Sequence, residues 1–301
     1  MLRLCCLVIL FTLWMLHGSA RGEERPAAAP GRVIPKPFVE KPILLGAHRG
    51  GRNLWPENTA YAFRGTAERW PGALLEGDVQ MSADGYPILM HDDTVDRTTD
   101  GTGPVAGKTL AELKQLDAGY RFTADRGQTF PYRGQGITIP TLDEVIAAAP
   151  AHRFLIEIKG GEGAVDAVVK VIREARAESR FLLASVNPMY MHHLHKVAPE
   201  IGTCFDYSNA MVMLKTLREG DWDQYTPPCA MLCLSQGLEK QFNLTPEEAQ
   251  KIRSKGVLYQ VFTVNRREEM QSLLKRGVDS ILSDNPELLA QVIDEMPPPA
   301  R

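Results

Sequence analysis

The sequence predicts a (β/α)8 TIM barrel that carries a small inserted subdomain. Short apolar runs recur along the chain, and segments with helix-capping signals separate them. Strand and helix alternating eight times within roughly 250 residues is typical of this fold. A doubly wound open sheet is the alternative architecture. The apolar runs span residues 43–47, 74–79, 154–158, 181–185, 201–205, 230–234, 258–263 and 279–282.

The connecting segments contain clear helix signals. Thr245-Pro246-Glu247-Glu248 forms a capping box with proline at the first helical position. The segment 266–276 is followed by Gly277, a residue that commonly ends a helix. These signals support helical crossovers between parallel strands.

One segment breaks the alternation of strands and helices. After Val79, the residues Ala83-Asp84-Gly85 predict a turn and residues 87–91 predict another strand. No room remains for a crossover helix, so we expect a β-hairpin. If the turn is centred near Asp84 and Gly85, His91 lies opposite Asp78.

The segment of about 92–140 is too long for an ordinary barrel loop. We expect it to form a small subdomain over the mouth of the barrel. Its four aromatic residues either contact substrate or make a small local core; they are Tyr120, Phe122, Phe130 and Tyr132.

The overall composition is that of a globular chain. The 301 residues are 44% hydrophobic and 24% charged, with a formal net charge of -3. This composition fits one large or two small globular domains. A weakly acidic chain lacks the basic footprint of a nucleic-acid-binding protein, so nucleic acid is not an expected partner.

The first 20 residues are typical of a secretory signal peptide. Arg3 precedes an apolar stretch, residues 4–16, and small residues follow up to Ala20. A membrane anchor needs roughly 18 or more apolar residues, so we expect cleavage after Ala20 and a secreted or periplasmic protein. Nothing else indicates membrane association. Residues 21–41 predict a flexible tether or an extended arm, and the barrel unit should span 42–295.

Three cysteines remain beyond that cleavage site. Cys229 and Cys233 lie on one predicted strand, and at about 3.3 Å per residue they are too far apart to form a disulfide. Buried, small apolar side chains are the expected role of Cys204, Cys229 and Cys233.

Two neighbouring strands predict a cluster of carboxylates. Residues two apart on a strand share a face, so Glu76 and Asp78 point the same way. Such a pair in a partly desolvated site takes up a proton, meets a basic group or holds a cation. Glu157 repeats the arrangement on the next parallel strand, and three carboxylates suit Mg²⁺ or Ca²⁺. The alternative interpretation is a salt bridge between Lys159 and Glu76 or Glu157, or exposed residues at the end of a strand.

Polar residues also end two predicted strands. His48 and His91 are suited to general acid and base catalysis near neutral pH. Arg49 supplies a fixed fork of donors for a phosphate group, and Lys159 adds a second positive charge. Together these residues predict a site for an anionic, oxygen-rich centre at the end of the barrel.

These residues lie in stretches that resemble the glycerophosphodiester phosphodiesterase family. The matching pieces extend from residue 48 to residue 286, over nearly the whole chain that follows the predicted signal peptide. They are HRGGRNLWPENTAYAF, LLEGDVQMSADGYPILMHDDTVDRTTDGTG, LIEIKG, FTVN and GVDSILSDNP. Two positions depart from the sequence pattern of this family: Phe262 stands where the family often has Trp, and Ser283 stands where Thr is usual.

The resemblance implies a (β/α)8 barrel with an inserted subdomain and one divalent cation, Ca²⁺ or Mg²⁺. In this family pattern the cation is bound by the carboxylates matching Glu76, Asp78 and Glu157. The acid and base histidines match His48 and His91, and the phosphate-binding residues match Arg49 and Lys159.

The activity that the resemblance implies is hydrolysis of glycerophosphodiesters, the deacylated headgroups of phospholipids, to glycerol 3-phosphate and an alcohol. One alternative is a phospholipase D-like enzyme acting on lysophospholipid or sphingolipid at a membrane surface. A catalytically silent barrel that binds phosphodiesters is the other alternative.

Overall fold

The structure, a computed structural model, describes residues 34–40, 45–161 and 163–296. The predicted signal peptide and most of the predicted tether lie outside the described residues, so both stay predictions. Within the described part, no helix is both long enough and apolar enough to cross a bilayer.

Eight parallel strands form a nearly closed barrel, which confirms the predicted fold. The strands are β1 (Leu45–Ala47), β2 (Leu74–Met81), β4 (Arg153–Ile158), β5 (Phe181–Ala184), β6 (Gly202–Thr203), β7 (Met231–Ser235), β8 (Leu258–Phe262) and β9 (Ser280–Ser283). Their hydrogen-bonded order is β6-β5-β4-β2-β1-β9-β8-β7, and β6 and β7 meet through a bridge between Cys204 and Met231. The alternative of a doubly wound open sheet is therefore wrong.

Helices connect these strands, and many of their apolar side chains pack on the outward faces of the strands. In the part of the chain that the structure describes, four short 3-10 helices begin at His48, Val105, Glu178 and Trp222. The α-helices are α1 (Lys36–Glu40), α2 (Ala60–Arg69), α3 (Leu110–Leu113), α4 (Leu142–Ala148), α5 (Ala164–Glu174), α6 (Pro188–Val197), α7 (Tyr207–Glu219), α8 (Gln236–Phe242), α9 (Pro246–Ser254), α10 (Arg267–Lys275) and α11 (Pro286–Glu295).

Strand β2 shows how the alternation of side chains builds both faces of the barrel. Leu75 and Val79 point outward and join the core beneath the helices. Glu76 and Asp78, which alternate with them, are 5% and 1% exposed. A period of two therefore separates the structural face from the polar face, as the sequence predicts.

The interior of the barrel near the starts of the strands is apolar. Leu74, Leu155 and Met231 belong to one buried cluster with Phe38 of α1. Arg153 donates a hydrogen bond to the carbonyl of Pro37, at 3.0 Å. Part of the predicted tether thus packs against the barrel through Ile34 and Phe38 and includes a short helix.

The hairpin forms where the sequence predicts it, but its register differs by one residue. Strand β3 (Pro87–Leu89) pairs antiparallel with β2, and Val79 lies opposite Leu89. Met90 therefore occupies the place predicted for His91, and its amide donates to the Asp78 carbonyl at 2.9 Å. The reason is a three-residue turn centred on Asp84, with Gly85 at a φ of 83°.

The segment 92–140 contains its own small apolar cluster. Val95, Leu113 and Ile139 are buried in it together with Ile88 of β3. Tyr132 packs against this cluster, and its ring also contacts Phe122 and Tyr61 edge to face.

Candidate active site

Strand β1 ends in a tight turn that sets up the first part of the site. Arg49 has a φ of 51°, a left-handed conformation that is uncommon for a residue with a side chain. Two hydrogen bonds hold it: the Arg49 amide donates to Glu76 Oε2 at 2.8 Å, and its carbonyl accepts from the Asn58 amide at 3.0 Å. The turn is thereby fixed to β2 and to the start of α2.

His48 is oriented by a carboxylate that follows β9. His48 Nδ1 lies 2.5 Å from Asp284 Oδ1, and Asn265 donates to the other Asp284 oxygen at 2.7 Å. Burial alone would lower the pKa of His48, but the hydrogen bond to Asp284 and the charge of Glu76 outweigh it, and the pKa is raised. With Nδ1 engaged, Nε2 is the ring nitrogen left for chemistry.

His91 has a carboxylate partner as well. Its Nδ1 lies 2.7 Å from Asp92 Oδ1. His91 lines a cleft of about 440 Å³ together with Glu157, Lys159 and Val186. The second histidine therefore faces the same opening as Glu157 and Lys159, one predicted metal ligand and one predicted phosphate-binding residue.

The carboxylates on β2 are deeply buried. Burial, followed by the charge of Asp78, raises the pKa of Glu76 to about 7. Asp78 accepts a hydrogen bond from Asn58 Nδ2 at 3.0 Å, and strand register places it directly opposite Glu157 on β4. Three acidic side chains are thus gathered from two adjacent strands.

Lys159 lies between two of these carboxylates. Its Nζ is 2.9 Å from Glu157 Oε2 and 3.3 Å from Asp78 Oδ1. The salt bridge between Lys159 and Glu157, which the sequence offers as an alternative to a metal site, is therefore present. No salt bridge from Lys159 to Glu76 accompanies it within the described residues.

Arg49 keeps one buried donor without a hydrogen bond. Its Nη1 donates to Glu57 Oε1 at 2.8 Å. Its Nε lies 3.4 Å from Asp78 Oδ2, yet it has no hydrogen-bond partner among the described residues. This donor is near the charge of Asp78 but makes no hydrogen bond, and a buried donor without a hydrogen bond costs free energy.

A network of charges joins the Arg49 and His91 parts of the site. Arg97, from the inserted segment, donates to both oxygens of Glu57, at 2.7 and 2.9 Å. It also donates to Asp92 at 2.6 Å through Nε. Glu57 contacts Arg49 and Asp92 contacts His91, so one guanidinium connects the two halves of the site.

The carboxylates of Glu76, Asp78 and Glu157 have the chemistry of ligands for a hard divalent cation. No three His, Cys, Asp or Glu side chains converge into a ready metal cage in the part of the chain that the structure describes. Carboxylate oxygens are nevertheless the ligands that Ca²⁺ and Mg²⁺ prefer, and desolvation of the Glu76–Asp78 pair favours a compensating cation. Lys159 now supplies part of that compensation for Asp78 and Glu157.

The predicted site residues all lie at one end of the barrel. Strand pairing, salt bridges and the shared cleft connect them. Sequence reasoning missed five residues that hold them in place: Glu57, Asn58, Asp92, Arg97 and Asp284. Of the neighbours Asn58 and Thr59, Thr59 is the cap of α2 and Asn58 donates to Asp78.

Comparison with known proteins identifies the family of the chain. The sequence model of the "Glycerophosphoryl diester phosphodiesterase family" matches residues 48–288. A glycerophosphodiester phosphodiesterase of Caldanaerobacter subterraneus subsp. tengcongensis is 35% identical over 257 residues, which cover 83% of this chain and 97% of the relative.

Two solved structures are also similar. A phosphodiesterase from Oleispira antarctica, described in complex with the product sn-glycerol-3-phosphate, is 28% identical with a TM-score of 0.69; the match covers 86% of this chain and 99% of the other. The glycerophosphoryl diester phosphodiesterase domain of a Mycobacterium tuberculosis protein has a TM-score of 0.71 at 23% identity, covering 85% and 100% respectively, and supports the fold alone.

The barrel, the site at its mouth and these matches together define a phosphoric diester hydrolase. The chain is a member of the glycerophosphoryl diester phosphodiesterase family. The predicted family and the predicted enzyme class are therefore confirmed.

Proposed function

We propose that the protein hydrolyses glycerophosphodiesters to glycerol 3-phosphate and an alcohol, and that the reaction depends on Ca²⁺ or Mg²⁺. The observation that carries the proposal is the gathering of two carboxylate-paired histidines and two cationic side chains around buried carboxylates. The product bound in the Oleispira antarctica relative supports the same substrate class.

The phosphate is bound by Arg49 and Lys159. Arg49 contributes its guanidinium, whose Nε makes no hydrogen bond among the described residues, and Lys159 lines the cleft. Both groups are fixed in advance by salt bridges to Glu57, Asp78 and Glu157. Preorganised positive charge of this kind stabilises negative charge that develops on phosphoryl oxygens.

The two histidines move protons on either side of the phosphate. One removes a proton from the nucleophile, which is water or the glycerol 2-hydroxyl of the substrate through a cyclic phosphate. The other donates a proton to the oxygen of the leaving alcohol. Asp284 and Asp92 hold the two rings so that Nε2 of each can take part.

Glu76, Asp78 and Glu157 would hold the divalent cation. When bound there, it would neutralise charge at the phosphoryl oxygens as a Lewis acid. The oxygen-only donor set supports Ca²⁺ or Mg²⁺ over a thiolate-binding metal.

Substitution of the proposed catalytic and metal-binding residues tests this assignment. His48→Ala, His91→Ala and Glu76→Gln should each lower kcat/KM for glycerophosphocholine by about 10²-fold or more, because each removes a group that acts in the transition state. His192→Ala, on the exposed face of α6, is the matched control and should retain full activity. Unchanged activity in both His48→Ala and Glu76→Gln would overturn the proposal.

A further inference from the structure

The contact between β6 and β7 is the weakest point of the barrel wall. Among the described strands, neighbours in the barrel are paired at two to six positions, whereas β6 and β7 share a single bridge, from Cys204 to Met231. Two backbone hydrogen bonds flank it, Phe205 to Met231 at 2.9 Å and Ala230 to Thr203 at 2.8 Å. Little backbone pairing holds the barrel closed here.

Two thiols face each other across this contact. Cys204 Sγ lies 3.5 Å from Cys233 Sγ, and the two residues are 29 positions apart. Cys204 is 2% exposed and packs in the interior cluster with Leu155 and Leu182, whereas Cys233 is half-buried. The third cysteine, Cys229, contacts His195: its Sγ lies 3.8 Å from His195 Nε2.

We propose that Cys204 and Cys233 form a disulfide site that cross-links β6 to β7. The oxidant is a small disulfide donor. The Cys233 thiolate attacks one sulfur of the donor, which forms a mixed disulfide and releases one donor thiol. The Cys204 thiolate then attacks Cys233 Sγ and releases the second donor thiol. Two protein thiols are oxidised, one donor disulfide is reduced, and the two released thiols carry both protons.

The geometry requires only a local movement. The sulfur atoms must approach from 3.5 Å to the bonding distance of about 2.05 Å. Strand β6 has two residues, so few backbone hydrogen bonds resist the shift. Cys233 is the more accessible of the two thiols and is therefore the entry point for the donor, whereas burial protects Cys204 from direct attack.

Incubation of the native full-length protein with oxidised glutathione, followed by alkylation of free thiols and tryptic mapping, tests the site. The expected product is peptide 197–215 linked to peptide 219–240. Cleavage by cyanogen bromide after Met231 separates Cys229 from Cys233 and assigns the bond. Because the bond closes a long loop, the linked protein should melt roughly 5 °C higher than the same protein after treatment with dithiothreitol.

Single Cys→Ala variants identify the two cysteines that form the bond. Cys204→Ala and Cys233→Ala should abolish the link, and Cys229→Ala should retain it. Free, alkylatable Cys204 and Cys233 in the wild-type protein would overturn the proposal. A bond to Cys229, or a linked form that melts no higher than the reduced form, would do the same. Mapping of the wild-type protein decides the matter even if a variant fails to fold.

Discussion

At the scale of single residues, His48 depends on a partner at the far end of the chain. Asp284 is 236 positions away, yet its carboxylate lies 2.5 Å from His48 Nδ1. Asn265 holds that carboxylate in turn. A hydrogen bond of this kind fixes which ring nitrogen carries the proton and stabilises the protonated ring.

Replacement of the Asp284 carboxylate by an amide should therefore impair His48 without altering its own side chain. Asp284→Asn should lower kcat/KM by about 10²- to 10⁴-fold. Asp284 raises the pKa of His48. Loss of the Asp284 carboxylate should therefore shift the part of the pH–rate profile that follows His48 ionisation to lower pH. Full pH profiles of kcat/KM measure both effects, with Asp294→Asn on the exposed face of α11 as the control. A lower rate with an unmoved limb would contradict this role.

The site residues differ in how visible they are in the sequence. Glu76 and Glu157 interrupt apolar strands and His48 directly follows one, and such polar residues predict a polar site. Glu57 and Asp284 do not stand out in the sequence, because each lies in a polar loop where a charged residue is common. Asp284 could have been noticed as a carboxylate directly after the last strand, at the end of the barrel where active sites lie.

At the scale of secondary-structure elements, β2 packs closely against the start of α2. A Cβ on Gly77 would lie 2.8 Å from the Phe63 ring and 3.0 Å from Asn58 Oδ1. Asn58 in turn donates to Asp78 at 3.0 Å. Gly77 thus lets the helix approach the strand and lets Asn58 hold a proposed metal ligand.

Addition of one methyl group at this contact should affect both stability and activity. Gly77→Ala should lower the free energy of unfolding by about 1–3 kcal/mol through overpacking, and it should reduce kcat/KM because Asn58 shifts. Gly72→Ala is the matched control, since its Cβ would meet nothing within 4 Å. Urea unfolding and activity assays of both variants measure the difference. Equal stability of the two variants would show that the contact tolerates a methyl group.

The strands were predictable because each is a short apolar run between polar connections, and all eight barrel strands appear within the predicted runs to a residue or two. The register of the hairpin was not predictable from the sequence. It depends on whether the turn has two or three residues, and Ala83-Asp84-Gly85 permits either. The contact of Cys204 with Cys233 was missed because barrel closure, and not sequence proximity, brings β6 beside β7.

At the scale of the whole molecule, the inserted segment is tied to the barrel through Arg97. Burial alone would raise the pKa of Glu57, but its hydrogen bonds to Arg97 and the charge of Arg49 lower it to about 2. A carboxylate whose pKa is depressed on folding stabilises the folded state above its unfolded pKa. That stabilisation is lost as the pH falls from about 4.5 towards 2.

Removal of Arg97 should therefore cost stability at neutral pH more than at acidic pH. Arg97→Met should lower the free energy of unfolding by about 1 kcal/mol near neutral pH, since Arg97 is itself partly exposed. The loss should shrink below pH 4.5, because the unfolded chain then protonates Glu57 and the stabilisation from its depressed pKa in the folded state is progressively lost. Urea unfolding at about pH 7 and about pH 3 measures this, with exposed Arg64→Met as control. An identical loss at both pH values would contradict the coupling.

The most direct test of the proposed function is the release of glycerol 3-phosphate by the purified protein. Glycerophosphocholine and glycerophosphoethanolamine would be incubated with it in the presence of Ca²⁺, Mg²⁺ or EDTA. The proposed site predicts release with a divalent cation, loss of release in EDTA and recovery when the cation is returned. Release that is indifferent to EDTA would contradict the metal assignment, and no release with either cation would contradict the proposed substrate class.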